Sequence, residues 1–207
     1  MSLATSYTRL APLYDRVVEA ASRNARRTSL GALPRAHSEI LLCGVGTGLD
    51  LPWLPAGHHY TGIDFNRAML VRSLPRADGL DYTPVLGDAM RLPFADASFD
   101  CTVLHLIVAV VPDGAACLAE AARVTRAGGS ILVLDKFLSS GRAAPLRRLL
   151  SPLAARVATR LDVAFEPLLT GLPLTVTSDD PAAIGGWFRR IRLVKNAPAG
   201  ANRGSRD

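Results

Sequence analysis

Ile40-Leu41-Leu42-Cys43-Gly44-Val45-Gly46-Thr47-Gly48 joins an unbroken apolar run to glycines at every second position. Four apolar residues in a row leave no polar side for water, so Ile40 to Cys43 predicts a strand covered on both faces, as in a parallel sheet. The glycines let the backbone turn tightly and approach something bulky. Spacing excludes two common tenants of such a turn. The dinucleotide fingerprint puts its third glycine three residues after the second, whereas Gly48 comes two after Gly46. A triphosphate loop needs lysine followed by serine or threonine, and Leu49-Asp50 stands there instead.

Outward from that turn, Leu49 to Leu54 predicts a short helix limited by Pro52 and Pro55. His59 to Asp64 predicts a second strand ending in an acid, near where α/β cofactor folds put the carboxylate that accepts ribose hydroxyls. An acid after a strand also serves as a helix N-cap. A helix over 66–74 ends at Pro75, and a third strand, Asp81 to Leu86, runs into Gly87-Asp88-Ala89. Leu92-Pro93-Phe94 leads through Phe99-Asp100 into a fourth strand over 101–104, followed by His105. A helix over 118–124, the turn Arg126-Ala127-Gly128-Gly129 and a strand over 130–134 come next. Two closing strands, over 174–177 and 188–194, flank Gly185-Gly186. Strands alternating with helices at these lengths predict a doubly wound parallel sheet. The segment before it, helix-like to about Leu33, predicts a cap rather than part of the sheet.

A chain of 207 residues, 49% of them hydrophobic, builds one good core, so one domain is expected over residues 1–196, with a disordered polar tail over 197–207. Cys43, Cys101 and Cys117 have no metal-ligand spacing and read as buried thiols of a reducing compartment. No apolar run is long enough to span a bilayer, which points to a cytoplasmic or peripheral protein. The net charge is +6, and all of the 24 basic residues except Lys136 and Lys195 are arginine. Such a balance favours anionic partners, either nucleic acid or an acidic membrane surface.

The alternate glycines Gly44, Gly46 and Gly48, the acids Asp64 and Asp88, the Leu92-Pro93-Phe94 lead-in and the Arg126 to Gly129 turn together resemble the class I S-adenosylmethionine-dependent methyltransferases. The resemblance implies a seven-stranded, doubly wound Rossmann-like α/β sheet whose seventh strand is antiparallel. It also implies an N-terminal helical lid over 6–33 and a helical acceptor-site insertion over 137–171. The cofactor implied is S-adenosyl-L-methionine, with the three glycines against its amino-acid and ribose part and Asp64 on the ribose hydroxyls. Asp88 and the Ala89 amide would meet the adenine, Phe65 and Met69 its face, Tyr14 would cover it from the lid, and His105 would face the methionine end. Most of the family carries an acid two residues before the first glycine, for the cofactor's ammonium. This chain has Leu42 there.

Tyr7 to Asp15, Val110-Val111-Pro112 and Asp135-Lys136-Phe137 are similar to bacterial phospholipid N-methyltransferases that act on phosphatidylethanolamine. Quinone C-methyltransferases share most of this wording. The acceptor implied is a lipid amine at the inner face of the membrane. The alternatives are a quinone-like or other small acceptor, or a cofactor-fold protein that binds without catalysis. Between 142 and 161, Leu146, Leu149, Leu150, Leu153, Val157 and Leu161 recur at helical spacing among arginines with no acid. Such helices can lie in a membrane interface, or pack their apolar stripe on their own core. An amine acceptor must lose a proton, and His105 and Tyr14 are the candidate bases. His105 reads equally as a buried histidine with one backbone hydrogen bond.

Overall fold

The structure, a computed structural model, describes residues 22–35, 37–137, 163–183 and 188–198. Seven strands form one sheet: β1 (Glu39–Cys43), β2 (His59–Asp64), β3 (Asp81–Leu86), β4 (Phe99–His105), β5 (Thr125–Lys136), β6 (Leu174–Ala183) and β7 (Phe188–Lys195). Their order is β3-β2-β1-β4-β5-β7-β6. The first five pair in parallel, and β7 runs antiparallel to both β5 and β6. From β1 the chain winds outward to β3, then crosses back to β4 on the other side. The strand order therefore reverses between β1 and β4, which is where open α/β sheets bind ligands.

Side-chain alternation along β1 explains the unbroken apolar run. Leu41 and Cys43 join one core cluster and Ile40 and Leu42 the other, so both faces of the strand are covered. On the first face, Cys117, Leu118, Ala121 and Ala122 of helix α3 (Gly114–Val124) cover the sheet. On the second, Leu30 of helix α1 (22–30) and Leu70 of helix α2 (Arg67–Ser73) do so. All three cysteines are buried. Burial pushes the Cys101 thiol up to about 11 and the Cys117 thiol up to about 12, which removes their nucleophilic character at neutral pH.

Several boundaries differ from the sequence expectation, each for a local reason. The helix expected over 49–54 is a 3-10 turn, Leu51–Trp53, because its prolines leave room for little more. Helix α2 starts after Asn66, whose side chain caps it by accepting the Ala68 amide at 2.9 Å. Helix α3 begins at Gly114 rather than Leu118, since Asp113 caps it through the Ala116 amide at 3.0 Å. The Arg126 to Gly129 segment is no turn before β5 but an irregular part of it. Thr125 pairs with Phe99, the register then shifts, and Arg126 meets Asp100 at 2.6 Å. A Cβ on Gly129 would stand 2.7 Å from the Asp100 carbonyl, so only glycine fits that bulge. Strand β6 continues to Ala183, six residues beyond the expected Thr177, and Pro181 is tolerated because β6 is an edge strand.

Of the expected lid, residues 6–21 with Tyr7 and Tyr14 lie outside the described residues, as do 138–162 of the insertion and 199–207 of the tail. The ends of the insertion are anchored. Phe137 and Phe165 are both buried, with ring centroids 4.8 Å apart, and Leu168 and Leu169 pack on the α3 side of the core. Among the described residues no helix is long and apolar enough to cross a membrane.

Candidate active site

At the point where the strand order reverses, the C-terminal ends of β1, β2, β3 and β4 open onto a cavity of about 400 Å³. That volume lies in the roughly 300–1,000 Å³ range of small-molecule and cofactor sites. Its walls include Gly44, Gly46, Asp64, Phe65, Met69, Asp88, Ala89 and His105, eight of the residues expected at a cofactor site. Gly48 is not on the wall. Its φ of +81° lets the chain turn inward, where a Cβ would stand 2.6 Å from Leu51 Cδ1 and 3.0 Å from Ser73 Cβ. Gly48 thus packs closely against α2, and among the three glycines of the turn the cavity wall takes Gly44 and Gly46. Tyr14 lies outside the described residues.

The glycine turn is braced from two sides. Asp64 Oδ2 accepts the Gly46 amide and Oδ1 the Asn66 amide, both at 2.9 Å. Burial raises the Asp64 carboxyl above its ordinary value, and these two amide bonds only partly offset the effect. From the other side, Arg76 Nη1 donates to the Thr47 carbonyl at 2.6 Å. Asp88 is exposed and accepts the Met90 amide at 2.8 Å, while Ala89 is buried. Phe65 is 61% exposed beside a buried Met69, so only Met69 belongs to the packed interior.

The wall beyond β4 is apolar, formed by Leu106, Ile107, Val110 and Val111. Leu106 adopts φ +59°, a left-handed conformation costing roughly 1–2 kcal/mol for a residue with a side chain. Two bonds hold it: the Leu106 amide donates to the Leu134 carbonyl at 2.7 Å, and the buried Asp135 Oδ2 accepts the Ala109 amide at 3.0 Å. Asp135, at the end of β5, thereby fixes a loop it does not belong to.

His105 is buried and uses both ring nitrogens on side chains. Nδ1 meets Asp50 Oδ1 and Nε2 meets Ser29 Oγ, each at 2.9 Å. The same Asp50 oxygen takes Arg26 Nη1 at 2.9 Å. Burial alone would raise the Asp50 carboxyl, but the charges and hydrogen bonds of Arg26 and His105 outweigh it and hold it well below the usual carboxylate range. An ionised carboxylate only accepts, so in the neutral imidazole the hydrogen sits on Nδ1 and Nε2 accepts from Ser29. Sequence reasoning missed Arg26, Ser29 and Asp50. Asp50 directly follows Leu49 after the glycine turn, and an acid placed there was the available signal.

Comparison with known proteins points to one family. Residues 41–133 match the family model described as a methyltransferase domain. The chain is 31% identical over 199 residues to the phosphatidylethanolamine N-methyltransferase of Cereibacter sphaeroides, covering 94% of this chain and 98% of that one. It is 34% identical over 138 residues to the demethylmenaquinone methyltransferase of a Roseiflexus species, covering 62% of this chain and 58% of that one. Among solved structures, a chain of the complex between the Haloferax volcanii Trm112 methyltransferase activator and a methyltransferase superposes with a TM-score of 0.76 at 16% identity, covering 95% of this chain and 99% of that one.

Proposed function

The chain belongs to the S-adenosylmethionine-dependent methyltransferases, and from that premise we propose that it methylates the amine of phosphatidylethanolamine. One observation carries the choice of acceptor. The likeness to the Cereibacter sphaeroides phosphatidylethanolamine N-methyltransferase extends over almost the whole of both chains, β6 and β7 included. The likeness to the demethylmenaquinone enzyme covers 62% of this chain. The acceptor-site insertion that the resemblance implies, 137–171, lies beyond the matched 41–133 segment, so end-to-end similarity weighs more than a slightly higher local identity.

The crevice fits the cofactor. At Gly46 a Cβ would meet nothing closer than the Gly44 carbonyl at 3.9 Å, so this part of the wall is left open by glycine and not filled by the protein. Asp64 would hold the ribose hydroxyls, Asp88 and the Ala89 amide the adenine edge, and Phe65 and Met69 its faces. When bound, S-adenosylmethionine supplies an electrophilic methyl group and loses its sulfonium charge on transfer.

The protein's own work is to position the acceptor and take its proton. Holding an amine in line contributes at best about 7–11 kcal/mol through effective molarity. An ammonium must be deprotonated before it attacks. His105 can receive that proton at Nε2 once the Ser29 hydroxyl turns aside, with Asp50 keeping the Nδ1 hydrogen and stabilising the imidazolium. Tyr14 is the other candidate base.

The test is mass spectrometry after incubation with methyl-labelled S-adenosylmethionine and either phosphatidylethanolamine vesicles or demethylmenaquinone. Label in the lipid headgroup is expected. Label in the quinone alone would transfer the assignment to carbon methylation.

A further inference from the structure

Asp135 holds a piece of the cavity wall without being part of it. It is 2% exposed and stands off the wall, near the end of β5. Its Oδ2 accepts the Ala109 amide at 3.0 Å and its Oδ1 the Lys136 amide at 2.8 Å, and a bond from the Val108 amide also favours the ionised form. Val108 and Ala109 are themselves buried. The residues on either side of them, Ile107, Val110 and Val111, face the cavity.

Three costs meet on this one segment. Burial raises the Asp135 carboxyl above its ordinary value despite those bonds, so an ionised acid there is an expensive way to satisfy two amides. Leu106, where the segment leaves β4, takes a left-handed φ of +59°. Gly44 has to be glycine, because a Cβ there would stand 2.1 Å from Ile107 Cδ1. The wall is thus wedged between the glycine turn and a buried carboxylate. Backbone strain that the surroundings over-determine concentrates at ligand sites, and here it fixes the apolar stretch that continues the cavity past His105. With the glycine turn and Asp64 taking the cofactor, this stretch is left for the acceptor.

We propose that Asp135 is a positioning residue for the acceptor. Through the Val108 and Ala109 amides it sets the wall of Ile107, Val110 and Val111, against which the hydrocarbon part of the acceptor lies. The proposal rests on methyl transfer to an acceptor with an apolar part, and it serves a lipid amine or a quinone alike.

Calorimetry on the protein saturated with S-adenosylhomocysteine tests it, with two unreactive probes. Dodecylphosphocholine, below its micelle concentration, carries the fully methylated amine, and a short-chain menaquinone carries the methylated ring. Wild type should bind at least one of them, and the one bound more tightly separates the lipid reading from the quinone reading. Asp135→Asn gives up one of the two acceptor oxygens, and should bind that probe about tenfold more weakly while S-adenosylhomocysteine binds within about threefold of wild type. Val110→Thr keeps the shape of the wall but puts a hydroxyl on it, and should also weaken the probe. In the double variant the two losses should not add, because both act through the same wall. Rejection of both probes by wild type would overturn the proposal, and so would unchanged probe affinity in Val110→Thr, whether or not Asp135→Asn folds. Additive losses, or an equal loss for probe and S-adenosylhomocysteine in Asp135→Asn, would overturn it too and reduce Asp135 to a brace of the fold.

Discussion

The Gly46 amide donates to Asp64 Oδ2 at 2.9 Å, so the acid that ends β2 holds the glycine turn that ends β1. Asp64 therefore has a structural task besides any contact with ribose. Asp64→Ala leaves the Gly46 and Asn66 amides without their acceptor and should lower stability by about 1–3 kcal/mol. It should also weaken cofactor binding more than Asp88→Ala, because Asp88 is exposed and among the described residues its carboxylate accepts only the Met90 amide. Melting curves and calorimetry on both variants measure this. Unchanged cofactor affinity in Asp64→Ala would remove Asp64 from the site.

Gly46 and Gly79 separate backbone strain from ligand contact. Both have positive φ, +57° and +76°, and neither Cβ would clash with the protein. Alanine at either position should cost roughly 1–2 kcal/mol of stability. Only Gly46 lines the cavity, so only Gly46→Ala should lose cofactor affinity. Equal affinities for the two variants would mean that the ligand does not approach the turn.

The buried Asp50 makes part of the stability acid-labile. Its carboxyl is held below the ordinary value of 3.8 in the fold, so its contribution is complete above that pH and is lost as pH falls below it. Asp64 and Asp135 are shifted upward and act with the opposite sign, whereas Asp100 and Glu120 shift downward like Asp50. Comparison of wild type with Asp50→Asn isolates the one group. The variant should lose about 3–5 kcal/mol at neutral pH, where Arg26 and His105 lose their anion, and should show a flatter profile below pH 4 or so. Parallel melting-temperature profiles for the two proteins would contradict this.

Leu42→Glu restores the acid that most of the family carries. Because Leu42 is buried among Ile40, Tyr60 and Leu30, the new carboxylate enters an apolar cluster and should destabilise the protein by at least about 2 kcal/mol. Cofactor affinity should not rise. Tighter binding by a folded Leu42→Glu protein would show that the site still accepts an anion there.

Arg147, Arg148, Arg156 and Arg160 lie outside the described residues, and the expectation that their acid-free stretch docks on an anionic membrane is open to direct test. At about 1 kcal/mol for each arginine, replacing all four by glutamine should nearly abolish sedimentation with acidic vesicles and leave cofactor affinity unchanged. Salt should act in the same direction, since the screening length falls to about 3 Å at 1 M. Equal sedimentation of wild type and variant would point to a soluble acceptor.

The parallel sheet was legible because its signal is local. A strand buried on both faces leaves an unbroken apolar run, and β2 and β3 have the bounds that their sequence predicts. That Gly44, Gly46, Asp64, Asp88 and Ala89 line one crevice was equally legible, since strand ends at the reversal of strand order face the same side of the sheet. Other features depended on distant partners. Arg126 to Gly129 joined β5 because Asp100 and Phe99 of β4 hold it there. Gly48 turned inward because Ser73 of α2 and Leu51 pack against it. Arg26, Ser29, Asp50 and His105 come from a helix, a loop and a strand end, and only the packing of α1 on the sheet brings them within hydrogen-bond reach. Periodicity records which face of an element is buried. It carries no record of which distant polar groups meet there, so the charge cluster behind the glycine turn was decided by tertiary structure alone.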